Sequence, residues 1–292
     1  MPRPLLLLGK VALVESRLVD SLPRPVIPRV VYVQPPLVLA LCQVRFPTVH
    51  AIASSEFVAP FQRAIQNLYP ISTGITQDMQ IQVAVGRQQA GFLPGGPMPS
   101  LRFSDPEDNW TVVLTPESVT LETRAYGDFD DFLGRLREVL QALIHAVNPT
   151  AVTRIGLRYV NELRPGHANW AAVVRPELLG PFLVPEIAQA ATQAGQVIVL
   201  QYPEGQVINV NHGFVPNGST VQPRPGQPPP MEPFYVIDFD AYREFPRLGL
   251  PKMNPNQICG WAQEFHDAVS QMFRWSITEE FHATLEVHPD GA

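Results

Sequence analysis

Two stretches carry the plan of the fold: VVLTPESVTLET (112–123) and IVLQYPEGQVINV (198–210). Each is an apolar run, a Pro-Glu turn and a strand of alternating character. Apolar–polar alternation marks a half-buried strand, and proline near the start of a turn presets its backbone angle. Both stretches therefore read as β-hairpins.

Upstream of the first hairpin, LVLALCQVRF (37–46) is short, apolar and ended by Pro47, as a buried strand would be. Ser54 or Ser55 stands where a helix cap belongs, and Phe57, Phe61, Ala64, Ile65 and Leu68 follow helical spacing up to Pro70. Met79–Val85, which alternates, and Ser100–Phe103 add two strands. Downstream, Asp128 caps a helix whose apolar stripe runs from Phe129 through Phe132, Leu136, Leu140 and Leu143 to Val147, before Pro149 stops it.

The second half repeats that order. Val152–Leu163 is a strand; Pro176–Gln193 is helical in part and broken by Pro181 and Pro185; the second hairpin follows. Phe234–Tyr242 is a further strand, and Asn256 to Phe281 reads as one long helix. The expectation is an α+β protein of two pseudo-repeated strand–helix–antiparallel-strands–helix units, forming a curved antiparallel sheet with helices on one face. Residues 35–150 form the first unit, 151–292 the second, and 1–34 an N-terminal arm. This order of elements resembles the duplicated saddle of TATA-binding-protein-like folds, in topology alone, and it implies nothing about DNA.

Composition narrows the class. Hydrophobic residues make up 45% of the 292 and charged residues 16%, so a packed core is expected and disorder of the bulk is not. The net charge of −6 argues against a whole-surface nucleic-acid binder but leaves room for a local basic strip. Lysine occurs only at Lys10 and Lys252, so arginine carries nearly all the positive charge. Cys42 and Cys259 read as reduced structural thiols, and no His/Cys spacing completes a metal site. The apolar run at Leu5–Leu8 is too short for a signal-peptide core, and no segment reaches the length of a membrane span. A cytoplasmic protein is expected, with no membrane partner and no cofactor. The Pro/Gly-rich segment 213–233 reads as a mobile surface insertion or as a polyproline arm that docks on a partner.

CQVRF (42–46), LETRAY (121–126), RIGLRYVN (154–161) and IDFDAY (237–242) occur together with Trp110, His266, Phe273 and Ile277-Thr278. In this the chain resembles a sporadically distributed bacterial family of uncharacterised proteins, over roughly residues 35–285. RIGLRYVN is the most specific piece, and the extension at 1–34 departs from the pattern. The resemblance implies a stand-alone accessory protein, scattered as defence-linked or mobile genes are, and brings no catalytic residues.

Chemistry-bearing residues are few. Strand periodicity puts Arg154, Gly156 and Arg158 on one face of RIGLRYVN, and Asp238 and Asp240 on one face of IDFDAY. If the strands are close, the four make an ion-pair ladder. The sharper readings are an anion or nucleic-acid strip of Arg154, Arg158, Arg45 and Arg124, with Trp110, Tyr126 and Tyr159 as stacking rings, and an acid/base or metal pair of Asp238 and Asp240. That acidic pair lacks a third ligand, so no metal site is assigned. His266 neighbours Asp267, but adjacent helical residues do not face each other; His145 suits a helix C-terminus, and Ser270 has no local base. No phosphate loop, dinucleotide fingerprint, nucleophile elbow or zincin motif is present. The leading expectation is a non-enzymatic binding or scaffold protein that assembles with itself or another protein. The alternatives are a nucleic-acid-binding module using the arginine strip, and an enzyme with a dispersed site of Asp238, Asp240 and His266.

Overall fold

The computed structural model describes residues 32, 35–77, 99–166, 169–215, 220–221, 228 and 230–285. Its strands are β1 (Leu37–Arg45), β2 (Ile71–Gln77), β3 (Pro99–Ser104), β4 (Trp110–Thr115), β5 (Ser118–Thr123), β6 (Arg154–Leu163), β7 (Gln196–Gln201), β8 (Gln206–Val215) and β9 (Phe234–Glu244). The helices are α1 (Ser55–Ile65), α2 (Phe129–Ala146), α3 (Pro176–Leu179), α4 (Pro185–Ala190), α5 (Pro255–Ser276) and α6 (Glu279–Thr284). All described strands join one antiparallel sheet in the order β2-β3-β4-β5-β1-β6-β9-β8-β7. The α+β class with a large antiparallel sheet is therefore what the chain adopts.

Alternation decides which side of the sheet is dry. Ala40, Cys42 and Val44 of β1, Ile155, Leu157 and Tyr159 of β6, and Ile237, Phe239 and Ala241 of β9 point one way and are buried. Against them pack Phe61 and Ile65 of α1, Phe132, Leu136 and Leu140 of α2, and Phe265, Val269 and Phe273 of α5. The core is continuous across the β1–β6 pairing, so both halves of the chain contribute to it. Cys42 and Cys259 are free and buried, and burial pushes the Cys42 thiol well up from its ordinary range.

Both hairpins form: β4 pairs β5, and β7 pairs β8. Glu204 and Gly205 in the second turn have positive φ, the conformation for which a Pro-Glu-Gly turn needs its glycine. Asp128 caps α2, its carboxylate accepting from the Asp131 N–H at 2.8 Å. Three local expectations change. Ser54 takes the cap position of α1 without a side-chain hydrogen bond. A strand forms at Ile71–Gln77, where none was expected, while Met79–Val85 lies outside the described residues. The long C-terminal helix ends at Ser276: Ile277 is extended and bridges Val174, and the Thr278 hydroxyl caps α6 by accepting from the Phe281 N–H at 3.0 Å.

One buried histidine gives the fold a pH dependence. His212 of β8 is fully buried, with Nδ1 2.8 Å from the Tyr235 hydroxyl and Nε2 without a hydrogen-bond partner. Burial lowers its pKa from 6.5. The unfolded chain then takes up the proton first, so stability is lost as pH falls below 6.5 toward the folded value. We expect His212→Phe to remove a slope of up to about 1.4 kcal/mol per pH unit from the acid side of the stability profile. Urea melts at stepped pH check this; an unchanged slope in the variant would assign the dependence to another group.

Candidate functional site

The face of the sheet opposite the helices carries the charges that the sequence singled out. β6 lies beside β9, with Arg158 across from Asp240 and Val160 across from Asp238. Arg158 donates a fork to Asp238, Nε to Oδ1 and Nη2 to Oδ2, both at 2.8 Å. Asp238 is 0% exposed, and Asn211 Nδ2 also donates to it at 3.4 Å. Arg154 Nη2 reaches Asp240 Oδ2 at 3.2 Å while its guanidinium lies over the Tyr242 ring. Gly156 makes room for this: a Cβ there would stand 3.0 Å from Arg154 Nη1 and 3.3 Å from Tyr242 Cβ. Burial raises the Asp240 pKa against the opposing pull of Arg154 and Arg158. For Arg158, burial pulls the pKa down but the hydrogen bonds and charge of Asp238 outweigh it, and the net shift is upward.

Arg45 and Arg124 are also engaged, Arg45 with Glu117 at 3.6 Å and Arg124 with Asp108 at 3.2 Å. All four arginines of the expected strip thus stand against carboxylates, and a phosphate would have to displace them. The expected stacking rings lie on the other side. Trp110 packs on Phe132 of α2, Tyr126 on Phe132 and Tyr159, and Tyr159 contacts His266 of α5, so none is beneath the arginines. Aromatic residues at inward positions were drawn into the core by their apolar area. Among the described residues, no group of three or more His, Cys, Asp or Glu is placed to hold a metal ion.

Part of the Pro/Gly-rich segment lies on this same face. Glu162 of β6 accepts from the Thr220 hydroxyl and the Val221 N–H, each at 2.7 Å, and from Arg164. Val221 packs with Leu39, Val160, Phe234 and Val236 in a small second core. The described residues Thr220 and Val221 therefore dock on their own sheet; 216–219, 222–227 and 229 lie outside the described residues.

On the helix side, the start of α2, β6, α5 and the segment around Pro35–Leu37 enclose a cavity of about 320 Å³. Tyr159 reaches into it from β6, with its hydroxyl 2.9 Å from His266 Nδ1 and donating to the Tyr126 hydroxyl at 3.4 Å. The His266 ring stacks on Phe129 with centroids 4.0 Å apart and planes 4° apart. Burial holds the Tyr159 hydroxyl protonated by raising its pKa well above 10.0. Asp238 and Asp240 share no cleft with His266, because the sheet lies between them. Sequence reasoning took His266 and Ser270 singly and missed this cavity. The available signal was Tyr159, a polar ring at an inward position of an otherwise apolar strand face.

Among the described residues, the fold and these sites define an α+β protein with a large antiparallel sheet, a self-neutralised charged face and a cavity on the helix side whose lining is mainly apolar. A scan against protein-family models and a search of curated proteins each returned no match. No helix among the described residues is long and apolar enough to cross a membrane.

Proposed function

We propose that this chain is a non-enzymatic binding and assembly protein that pairs with a second copy of itself through the free edge of β7. The observation that carries this reading is the exposed apolar surface there. Six of the nine large apolar side chains exposed among the described residues fall between positions 183 and 199: Leu183, Val184, Ile187, Val197, Ile198 and Val199. Val197 and Val199 are 61% and 57% exposed on a strand with no neighbour beyond it among the described residues. Edge strands are ordinarily guarded by charge, proline or a bulge, and QVIVLQ (196–201) has no charge and no proline. Apolar side chains exposed on an unguarded edge strand mark a place for another strand to pair.

A second copy suits the edge better than a charged partner. An uncharged strand pairs antiparallel with itself without setting like charges opposite each other. About a two-fold axis at Ile198, Val197 would face Val199 of the second copy on the same side of the joined sheet.

The same reading takes the sheet as a duplicated unit of TATA-binding-protein-like topology. In support, β1 pairs β6 at the centre, and outward from them β5 matches β9, β4 matches β8 and β3 matches β7, so the hairpin at 112–123 corresponds to β8 and β9 and not, as the two Pro-Glu turns suggest, to the hairpin at 198–210. β2 has no counterpart beyond β7 among the described residues, and the strand of the second copy fills that place. Membership of the sporadically distributed bacterial family, a cytoplasmic setting and an accessory role in defence or mobile elements belong to this proposal. The arginine strip supports a nucleic-acid reading less well, since each of its four members faces a carboxylate.

Light scattering and sedimentation test the assembly. The full chain is expected to be a dimer whose melting temperature rises with protein concentration, and the double variant Val197→Lys, Val199→Lys a monomer that still unfolds cooperatively but without that concentration dependence, since both side chains are exposed. A wild-type chain that stays monomeric at high concentration, or a variant that stays dimeric, would refute the proposal.

A further inference from the structure

We propose that His212 makes the β7 edge acid-sensitive: a proton on its imidazole opens the pairing of β7 with β8 and withdraws the strand that meets the second copy. The switch rests on the β7 dimer proposed above.

His212 lies across from Gln196 at the start of β7 and from Ile237 of β9, and shares with Ile237 the side of the sheet that faces the helices. It is 0% exposed. Its ring lies against Tyr235, with centroids 6.1 Å apart, and Tyr235 in turn meets Trp170, whose ring stacks on Phe214. A neutral imidazole has one donor and one acceptor; a protonated one has two donors and a charge. The Tyr235 hydroxyl, 2.8 Å from Nδ1, can accept from one of those donors. Nε2 has no partner among the described residues, so the second donor would be buried unmet, together with the charge. From β9 the facing titratable group is Tyr235, which burial keeps protonated. From β7 it is met by the neutral Gln196, whose Nε2 is turned to the Leu178 carbonyl at 3.0 Å. Burial lowers the His212 pKa, and no carboxylate among the described residues opposes that shift.

Opening β7 is the smallest rearrangement that lets water reach the ring. β9 pairs β8 along its whole length, from Gln206 to Val215, whereas β7 pairs it from Val207 to His212 and ends the sheet among the described residues. Gln196–His212 lies at the end of the β7–β8 ladder away from the turn, where an edge strand opens most readily. Once opened, His212 takes its ordinary pKa of 6.5, above the lowered value it has in the paired strand. The opened form therefore takes up the proton first. Pairing of β7, and the dimer built on it, is fully present above pH 6.5 and is lost as the pH falls below it. With one proton taken up by each copy, the Kd of the dimer can rise by up to about 100-fold per pH unit.

Sedimentation of the full chain between about pH 7.5 and about pH 5.5 tests the switch. The wild-type Kd is expected to rise about tenfold or more over that range, and that of His212→Phe to stay nearly constant. Amide exchange of the wild-type chain, corrected for the intrinsic effect of pH, gives a second readout that needs no variant. Protection of β7 is expected to fall with pH while that of β1 and β6 is kept. A dimer equally tight at both ends of the range, a His212→Phe dimer that weakens as the wild type does, or protection lost evenly across the sheet would each overturn the switch and leave the dimer standing. A wild-type chain that is monomeric at neutral pH would instead refute the dimer, and the switch with it.

Discussion

Arg158→Ala is expected to cost the fold about 3–5 kcal/mol, toward the lower end of that range, because it leaves a buried carboxylate without its counter-charge. Asp238 is 0% exposed and takes both of its oxygens' strongest hydrogen bonds from one guanidinium, at 2.8 Å each. The Asn211 amide at 3.4 Å is too long to replace them. The Arg158 side chain keeps 16% exposure, so some water reaches the gap, which is why the lower end is expected. Removing both partners should cost much less than removing one: Arg158→Met combined with Asp238→Leu leaves no unpaired charge and adds apolar area beside Leu41 and Val160. Urea denaturation of the two single variants and the double variant forms a complete cycle. If Arg158→Ala alone costs less than about 1 kcal/mol, the fork behaves as an ordinary surface pair and this reading of it is wrong.

Gly213→Ala should be the most damaging small substitution in the second half of the chain. A Cβ at Gly213 would stand 2.0 Å from the Ala194 carbonyl oxygen, 2.7 Å from its carbon and 2.9 Å from Gly195 Cα. These are backbone atoms, which cannot swing aside as a side chain would. The Ala194 N–H donates to the Phe214 carbonyl at 3.1 Å, so the Ala194–Gly195 backbone is tied to β8 just before β7 begins. Relief requires that backbone to lift away. A destabilisation of about 1–3 kcal/mol or more is expected, with faster amide exchange concentrated in β7. Uniform loss of protection across the sheet, or no loss at all, would contradict it. The variant also bears on assembly, since it disturbs the strand proposed to meet the second copy.

How much was legible in the sequence depended on how locally each feature is specified. The hairpin at 112–123, the Asp128 cap and the stripe of α2 follow from neighbours in sequence, and the structure has them where periodicity puts them. β2 escaped because ISTGITQ (71–77) is mostly polar, with a glycine at its centre, and lies at the end of the described sheet, where Ile71 is exposed. The break after Ser276 escaped because apolar spacing continues through Ile277 to Phe281, and only the cap at Thr278 marks a new start. The cavity escaped because Tyr126, Tyr159 and His266 are distant in sequence; the hydrogen bond between Tyr159 and His266 spans 107 residues.

Alternation is a local property of the chain, so the face that each strand residue occupies can be read without knowing any contact. RIGLRYVN and IDFDAY thus placed Arg154 with Arg158, and Asp238 with Asp240, before any strand order was known. That these strands are neighbours, that Arg158 holds Asp238 across 80 residues, and that β7 ends the sheet among the described residues follow from the assembled fold and not from any one segment. The physical reason is that a strand's backbone hydrogen bonds are alike whichever strand supplies them. Partner choice is settled by burying every apolar face at once, and no single segment contains that sum.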